Sequence, residues 1–358
     1  MTAPVLIAAG GTGGHVYPAL AVARALQARD VPVVWMGTHA GLEARVVPAA
    51  DIPVEWLSVG GLRGKGWRTR LAAPFVLTRA CLQAVTILRR RRPRALLGMG
   101  GFVAGPGGLM ARVVGCPLVV HEQNAAAGLT NRVLARIARC VLEAVPGTFP
   151  AGRRARATGN PVRAEIAAVA PPDVRFADRT GPLRLLVLGG SQGARWLNER
   201  LPQAVRELAS GQRPEIVHVA GPRNVDAAQA AYHEAGVDAR VEPYIDDMAT
   251  ELAQADAVVA RAGAMTVAEL AAVGVGALLV PFPHAVDDHQ TRNARWLADA
   301  GAAVVVQERE LDAERLRAEL GHLLTDRDEL LRRANSARAL ARPDAAEAVA
   351  DAVLEVAR

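Results

Sequence analysis

Short uninterrupted apolar runs alternate along this chain with stretches of helical period. The runs VPVVWMG (31–37), ALLGMGG (95–101), CPLVVHEQN (116–124), LRLLVLGG (183–190), EIVHVAG (215–221), ADAVVARAG (255–263) and GALLVPFP (276–283) read as strands. They do not alternate apolar with polar, so both faces of each strand are covered, which is the signature of parallel sheets flanked by helices. The class is α/β. A crude internal repeat is visible. VLIAAGGTGGHVYPALAVARAL (5–26) and LRLLVLGGSQGARWLNERL (183–201) share one layout of strand, glycine loop and helix. VPGTFPAGRRARATGNPVR (145–163) lies between them, rich in Pro, Gly and Arg, and reads as a linker. The expected architecture is two doubly wound, Rossmann-like domains facing each other across a cleft. One comprises residues 1–160 with the closing helix 341–358, and the other residues 161–340. In that closing helix Pro343 suits the first turn, and Val349, Val353 and Val356 form one apolar stripe.

The glycine loops change the picture from fold to chemistry. Gly10, Gly11, Gly13 and Gly14 surround Thr12, and Gly189, Gly190 and Gly193 surround Ser191. A glycine loop between strand and helix brings backbone N–H groups close to a ligand, and the helix start adds partial positive charge; both favour phosphate. A third such loop, GMGGFVAGPGG (98–108), makes more cradles than one nucleotide needs, so two phosphate-bearing ligands are expected. A dinucleotide is disfavoured in the first half. Its loop reads G-G-T-G-G, and the second strand ends Gly37-Thr38-His39 without the acid that would hold a ribose. A Walker-type lysine is also missing, because Lys65 is the only lysine.

Charge separates the halves. Residues 1–160 carry 20 Lys and Arg against six Asp and Glu, a net +14, while residues 161–358 are net −8. A basic half suits an anionic partner such as nucleic acid, a phosphorylated ligand or an acidic membrane face, or is simply solvated surface. Only 4% of residues are aromatic and no stacking motif is present, which argues against nucleic acid. Cys81, Cys116 and Cys140 are odd in number and far apart, as expected of reduced thiols rather than a disulfide framework or a zinc site. No basic, then apolar leader opens the chain, so no signal peptide is expected.

Seven motifs occur in one order: GGTGGHVYPALAVA, GLRGKG, GMGGFVAGPGGLMA, HEQNA, GNPVR, GGSQGARWLN and RAGAMTVAELAAVGVGALLVPFPHAVDDHQTRNA. Together they closely resemble the MurG family of N-acetylglucosaminyltransferases over about residues 5–300. The resemblance implies a GT-B fold and transfer of GlcNAc from UDP-GlcNAc to the muramyl 4-hydroxyl of lipid I, giving lipid II with inversion at the anomeric carbon. It also implies peripheral work at the cytoplasmic face of the plasma membrane, in peptidoglycan synthesis. By the same resemblance, Thr12, Gly13 and Gly14 lie by the sugar and the acceptor diphosphate, with Gly100 and Gly101 as further candidates for that diphosphate. Asn124 is a sugar-side contact, Arg163 and Ser191 lie near the donor diphosphate, and Ile245 meets the uracil. Ala264, Met265, Thr266, Val267, Ala268 and Glu269 form the donor-binding helix start, with Glu269 placed for the ribose hydroxyls. Gln290 meets a GlcNAc hydroxyl. The chain departs from the family at His289, where glutamine is frequent, and at Ala262 and Ala104, where serine is.

The transfer needs a base for the acceptor proton and stabilisation of departing UDP. Asp246-Asp247 and Asp287-Asp288 are adjacent pairs rather than Asp-x-Asp, and read as helix-start or loop carboxylates rather than metal ligands. No metal or cofactor is expected; helix-start N–H groups after Gly263 and Arg163 would meet the diphosphate instead. His15 is the candidate base, since histidine changes charge near neutral pH and the helix start favours its neutral form. Orienting substrate or capping the helix are its other readings, and His121 and Glu122 are rivals for the role. The segment 67–94 suits an anionic bilayer surface, through Trp67, Leu71 and Phe75 flanked by Arg68, Arg70 and Arg79. Pro74, Arg79 and Gln83 argue against a spanning helix, and the apolar residues beyond Thr78 read as ordinary core. The expected partners are UDP-GlcNAc, lipid I and anionic inner-membrane lipids, with no nucleic acid. Other GT-B enzymes, a diacylglycerol glycosyltransferase or a UDP-GlcNAc 2-epimerase, are the alternatives.

Overall fold

The structure, a computed structural model, describes residues 3–60, 67–189, 194–324 and 326–357, with the helical backbone alone over 67–72. The chain divides into two compact units, Met1–Arg163 with Asp344–Arg358, and Ala164–Pro343. In the first unit the strands are β1 (Val5–Ala8), β2 (Val33–Gly37), β3 (Val54–Trp56), β4 (Ala95–Gly98), β5 (Leu118–Glu122), β6 (Cys140–Glu143) and β7 (Arg156–Ala157). In the second they are β8 (Arg184–Leu188), β9 (Glu215–Val219), β10 (Arg240–Glu242), β11 (Ala257–Ala260), β12 (Gly276–Leu279) and β13 (Ala303–Val305). Both sheets are parallel. Their orders are β3-β2-β1-β4-β5-β6-β7 and β10-β9-β8-β11-β12-β13. Each order turns back beside its first strand, between β1 and β4 and between β8 and β11. In open α/β sheets the crevice outside the strand carboxyl ends at such a reversal is where ligands bind.

Strand pleating explains the uninterrupted apolar runs. Val5 and Ile7 of β1 join Trp35 and Leu97 on one face, against the helices Gly13–Gln27 and Ala345–Val356. Leu6 and Ala8 join Met36 and Leu96 on the other, with Ala84, Leu88 and Ala104 of the helices Trp67–Arg91 and Ala104–Val113. Every β1 side chain is fully buried. Successive residues feed opposite cores, so neither face has room for a polar position.

The chain's end returns to the first unit. Val349, Val353 and Val356 are buried as the apolar stripe requires, and Arg29 pairs with Glu347 and Asp351 while Arg156 pairs with Glu355. Pro343 precedes this helix rather than opening it, because Asp344 holds the N-cap position. The stretch 145–163 is not a linker. It adds β7 to the sheet, buries Phe149 and Val162, and lies wholly in the first unit. Its Pro, Gly and Arg content misleads because buried side chains satisfy its backbone: Glu143 accepts from the N–H groups of Gly147 and Phe149, both at 2.9 Å. The strands β3, β6, β7, β10 and β13 are only two to four residues long and are absent from the sequence reading.

Candidate active site

At the reversal in the first unit, β1 leads into Gly10, Gly11 and Thr12, and β4 into Gly100 and Gly101. The two loops are in contact. A Cβ at Gly101 would lie 2.1 Å from the Gly10 carbonyl oxygen, and one at Gly100 would lie 2.6 Å from Nδ1 of His15. Gly100 and Gly101 also have φ of +94° and +78°, which L side chains rarely adopt. These glycines are therefore required for the loops to close over His15. Thr12 is the N-cap of the helix Gly13–Gln27, in extended conformation and without a side-chain capping bond. Gly13, Gly14 and His15 form the helix's first turn and are half-buried. The structure thus brings Thr12, Gly13, Gly14, His15, Gly100 and Gly101 into one place.

Buried polar side chains brace the site. Glu43, fully buried, accepts from Gly11 N–H at 2.9 Å, Thr38 N–H at 2.9 Å and Thr38 Oγ1–H at 2.8 Å. The backbone of Gly10 and Gly41 makes room for this carboxylate, since a Cβ on either would overlap it. His15 Nδ1 lies 3.0 Å from Gln123 Oε1. Gln123 Nε2 lies 3.1 Å from His121 Nδ1, and His121 Nε2 lies 3.0 Å from the Gly159 carbonyl oxygen. Burial lowers the His121 imidazolium to about 4, so His121 is neutral at pH 7. Glu122 is also buried. It accepts from Asn124 N–H and Nδ2, Gly128 N–H and Asn131 Nδ2, at 2.9–3.0 Å. The two rivals of His15 are therefore framework. His121 is sealed in the core, and Glu122 spends its oxygens shaping the loop that presents Asn124.

At the reversal in the second unit, β11 runs through Arg261, Ala262 and Gly263 into the helix Ala264–Val273. Gly263 is the N-cap, with no side-chain cap, and the first turn itself contains no acid to offset the positive end of the helix dipole. Ala264, Met265, Thr266, Ala268 and Glu269 are half-buried there. Val267 differs: its side chain is in the core and its N–H donates to the Gly263 carbonyl at 2.9 Å, so it contributes the shape of the turn. Gln290 accepts through Oε1 from the N–H groups of Ala262 and Phe282, at 3.2 and 2.9 Å. That fixes its amide and leaves Nε2 as the group that can donate to a ligand. Ile245 lies in the loop after β10, half-buried, and Arg163 is the last residue of the first unit. Ser191 lies outside the described residues.

The paired aspartates stand at helix starts. Asp247 caps the helix Met248–Gln254 by accepting from Thr250 N–H at 3.0 Å and Thr250 Oγ1–H at 2.6 Å. Asp288 is the N-cap of His289–Ala298 and accepts from Thr291 Oγ1–H at 2.6 Å. A cavity of about 680 Å³ in the second unit opens among Arg175, Arg179, Asp256 and Arg327, at the amino ends of β8 and β11. It is at the wrong end of the sheet for a doubly wound site. Its arginines are also committed: Arg179 and Arg327 pair with buried Asp256, and Arg175 donates to the carbonyls of Ala253 and Val273.

In the segment read as a membrane surface, a helix runs from Trp67 to Arg91. The motif 61–66 and the side chains of Trp67, Arg68, Arg70 and Leu71 lie outside the described residues. Phe75 is 74% exposed. Arg79 is exposed and donates to Ser58 Oγ at 3.3 Å. Ala80, Ala84, Ile87 and Leu88 are core, as read, but Leu82 is 65% exposed. Arg90 and Arg91 are held by Glu55. Leu109 and Val113 are exposed on the neighbouring helix Ala104–Val113, an apolar surface outside the segment 67–94. No helix among the described residues is long and apolar enough to cross a membrane.

Comparison with known proteins agrees with this arrangement. Residues 5–143 match the glycosyltransferase family 28 N-terminal domain, and residues 184–349 match its C-terminal domain. The UDP-N-acetylglucosamine–N-acetylmuramyl-(pentapeptide) pyrophosphoryl-undecaprenol N-acetylglucosamine transferase of Alkalilimnicola ehrlichii is 57% identical over 358 residues, covering 100% of both chains. The enzyme of that name from Marinobacter nauticus is 54% identical over 98% of this chain and 97% of its own. The crystal structure of Acinetobacter baumannii MurG superposes with a TM-score of 0.87 at 40% identity, over 99% of this chain and 100% of that one. The glycosyltransferase of kitacinnamycin, at 17% identity and a TM-score of 0.72, shares the fold. With two parallel sheets, a glycine-lined reversal in the first and identity of this extent over the full length, the chain belongs to the MurG family of family 28 glycosyltransferases.

Proposed function

We propose that this protein transfers N-acetylglucosamine from UDP-GlcNAc to the muramyl 4-hydroxyl of lipid I, forming lipid II and UDP. The observation that carries the reading is the 57% identity, across the whole of both chains, to a transferase named for that reaction. In the reading, His15 Nε2 takes the proton of the 4-hydroxyl as its oxygen attacks the anomeric carbon. The bond from that carbon to the UDP oxygen breaks, its electron pair stays on the diphosphate, and the configuration inverts in one displacement. The start of the helix Ala264–Val273, Arg163 and Ser191 meet the charge that develops on UDP. Glu269 accepts from the ribose hydroxyls, Ile245 packs on uracil, and Gln290 Nε2 and Asn124 donate to the sugar. The two glycine loops at Thr12, Gly13, Gly14 and at Gly100, Gly101 take the acceptor diphosphate. Incubation with labelled UDP-GlcNAc and a short-chain lipid I analogue is expected to give labelled lipid II at the same rate with and without EDTA. Label recovered only as free sugar or as an epimerised nucleotide sugar would reject the reading.

The lipid-linked acceptor requires the protein to reach a bilayer, and the basic first unit supplies the means. Exposed Phe75, Leu82, Leu109 and Val113, with Trp67 and Leu71, form the apolar contact, and Arg68, Arg70 and Arg79 meet anionic lipid at the cytoplasmic face. Each basic residue near an anionic surface contributes about 1 kcal/mol. Replacing Arg68 and Arg70 together by glutamate should therefore weaken binding to anionic vesicles at least about tenfold. Unchanged binding would reject this surface.

A further inference from the structure

Three residues behind His15 are linked in a chain that admits one arrangement of protons. A carbonyl oxygen can only accept. Gly159 O therefore requires the proton of His121 to be on Nε2, 3.0 Å away. Because His121 is neutral, its Nδ1 is an acceptor and calls for the amide nitrogen of Gln123, at 3.1 Å. A second acceptor fixes the same orientation, since Gln123 Nε2 also donates to the His121 carbonyl at 3.3 Å. Gln123 Oε1 is thereby turned to His15 and can only accept, so the proton of neutral His15 is on Nδ1, 3.0 Å away. His15 Nε2 then carries the lone pair, and it has no protein partner among the described residues.

From this chain we infer that Gln123 and His121 are positioning residues that lock His15 in the Nδ1–H tautomer, so that its outward Nε2 is a base before substrate arrives. The inference rests on the reading of His15 as the base and adds the device that sets its proton. Gly159, the terminus of the relay, belongs to the stretch whose composition resembles a linker, which gives that stretch a task in the site. Gly100 completes the device, because its lack of a side chain lets the loop pack on the Nδ1 edge of the ring. Catalytic triads use a buried carboxylate to hold a histidine in its working tautomer. Here a neutral amide does so, and its orientation depends on a second, buried histidine.

The test is the tautomer itself. Two-bond proton–nitrogen correlation spectra of the histidine-labelled full chain are recorded at a pH where His15 is neutral, with the His15 signals assigned by their loss in His15→Ala. Wild type is expected to show protonated Nδ1 and bare Nε2 at His15. The volume-conserving variant Gln123→Met should show an Nε2–H or mixed tautomer. Its kcat should fall at least about tenfold, with KM for UDP-GlcNAc within about twofold, measured at a temperature where the variant is fully folded. Nε2–H in the wild-type spectrum overturns the inference, and that spectrum needs no variant to fold. A Gln123→Met protein with wild-type kcat overturns it as well. If Nδ1–H is found but His15→Ala turns over normally, the tautomer stands and the reading of His15 as the base is what fails.

Discussion

Replacing His15 by alanine should lower kcat by about 10²- to 10⁴-fold, the contribution typical of a positioned general base, while UDP-GlcNAc binds within about twofold of wild type. The donor keeps most of its affinity because the groups assigned to its uracil, ribose and diphosphate are, apart from Arg163, in the other unit, among them Ile245, residues 264–269 and Gln290. A histidine that only oriented the acceptor would move KM for lipid I and leave kcat largely in place. One that only capped its helix would move stability, and it makes no capping bond. Single-turnover rates with saturating donor and acceptor separate the three outcomes. Turnover within a few-fold of wild type would remove His15 as the base.

Replacing Glu43 by alanine should destabilise the protein by about 2–4 kcal/mol and depress turnover with it. The carboxylate is fully buried and holds three donors, two of them backbone N–H groups. Its removal takes the acceptor from three part-buried donors at once and leaves a cavity where the buried side chain stood, and the two costs add. The Gly11 N–H is the critical one, because Gly11 has φ of +96° and the loop it opens leads directly to Thr12 and His15. Glu43→Gln retains the shape and one acceptor oxygen, and should fall between wild type and alanine. Thermal unfolding together with kcat decides this. An unfolding temperature within about one degree of wild type in Glu43→Ala would show that the carboxylate does not hold the loop.

How much of this was legible in the sequence depended on the range of the interactions involved. The strand, glycine loop and helix around His15 are local, and 5–26 announces all three. The assignment of 264–269 to a helix start is local too, and Gly263 caps it. Gln123 gave no sign of its function, because its partner His15 is 108 positions away and a lone glutamine next to a strand end is unremarkable. Glu43 likewise reaches back 32 positions to Gly11. His121 and Glu122 attracted notice as titratable groups, and only burial and bonding distinguish a base from its scaffold. The stretch 145–163 misled for the converse reason. Its composition is that of a loop, but Glu143 just before it and distant partners, Gln123 at Asn160 and His121 at Gly159, fix it in place, the last being the bond on which the His15 tautomer depends.

The account turns on the helix start at Ala264 as the grip on UDP, at the reversal of the second sheet. A crystal structure with UDP-GlcNAc bound tests it most directly. The predicted result is a diphosphate within hydrogen-bond distance of the backbone N–H groups of residues 263–266, with the ribose hydroxyls on Glu269. A nucleotide found among Arg175, Arg179 and Arg327, at the opposite end of that sheet, would contradict it.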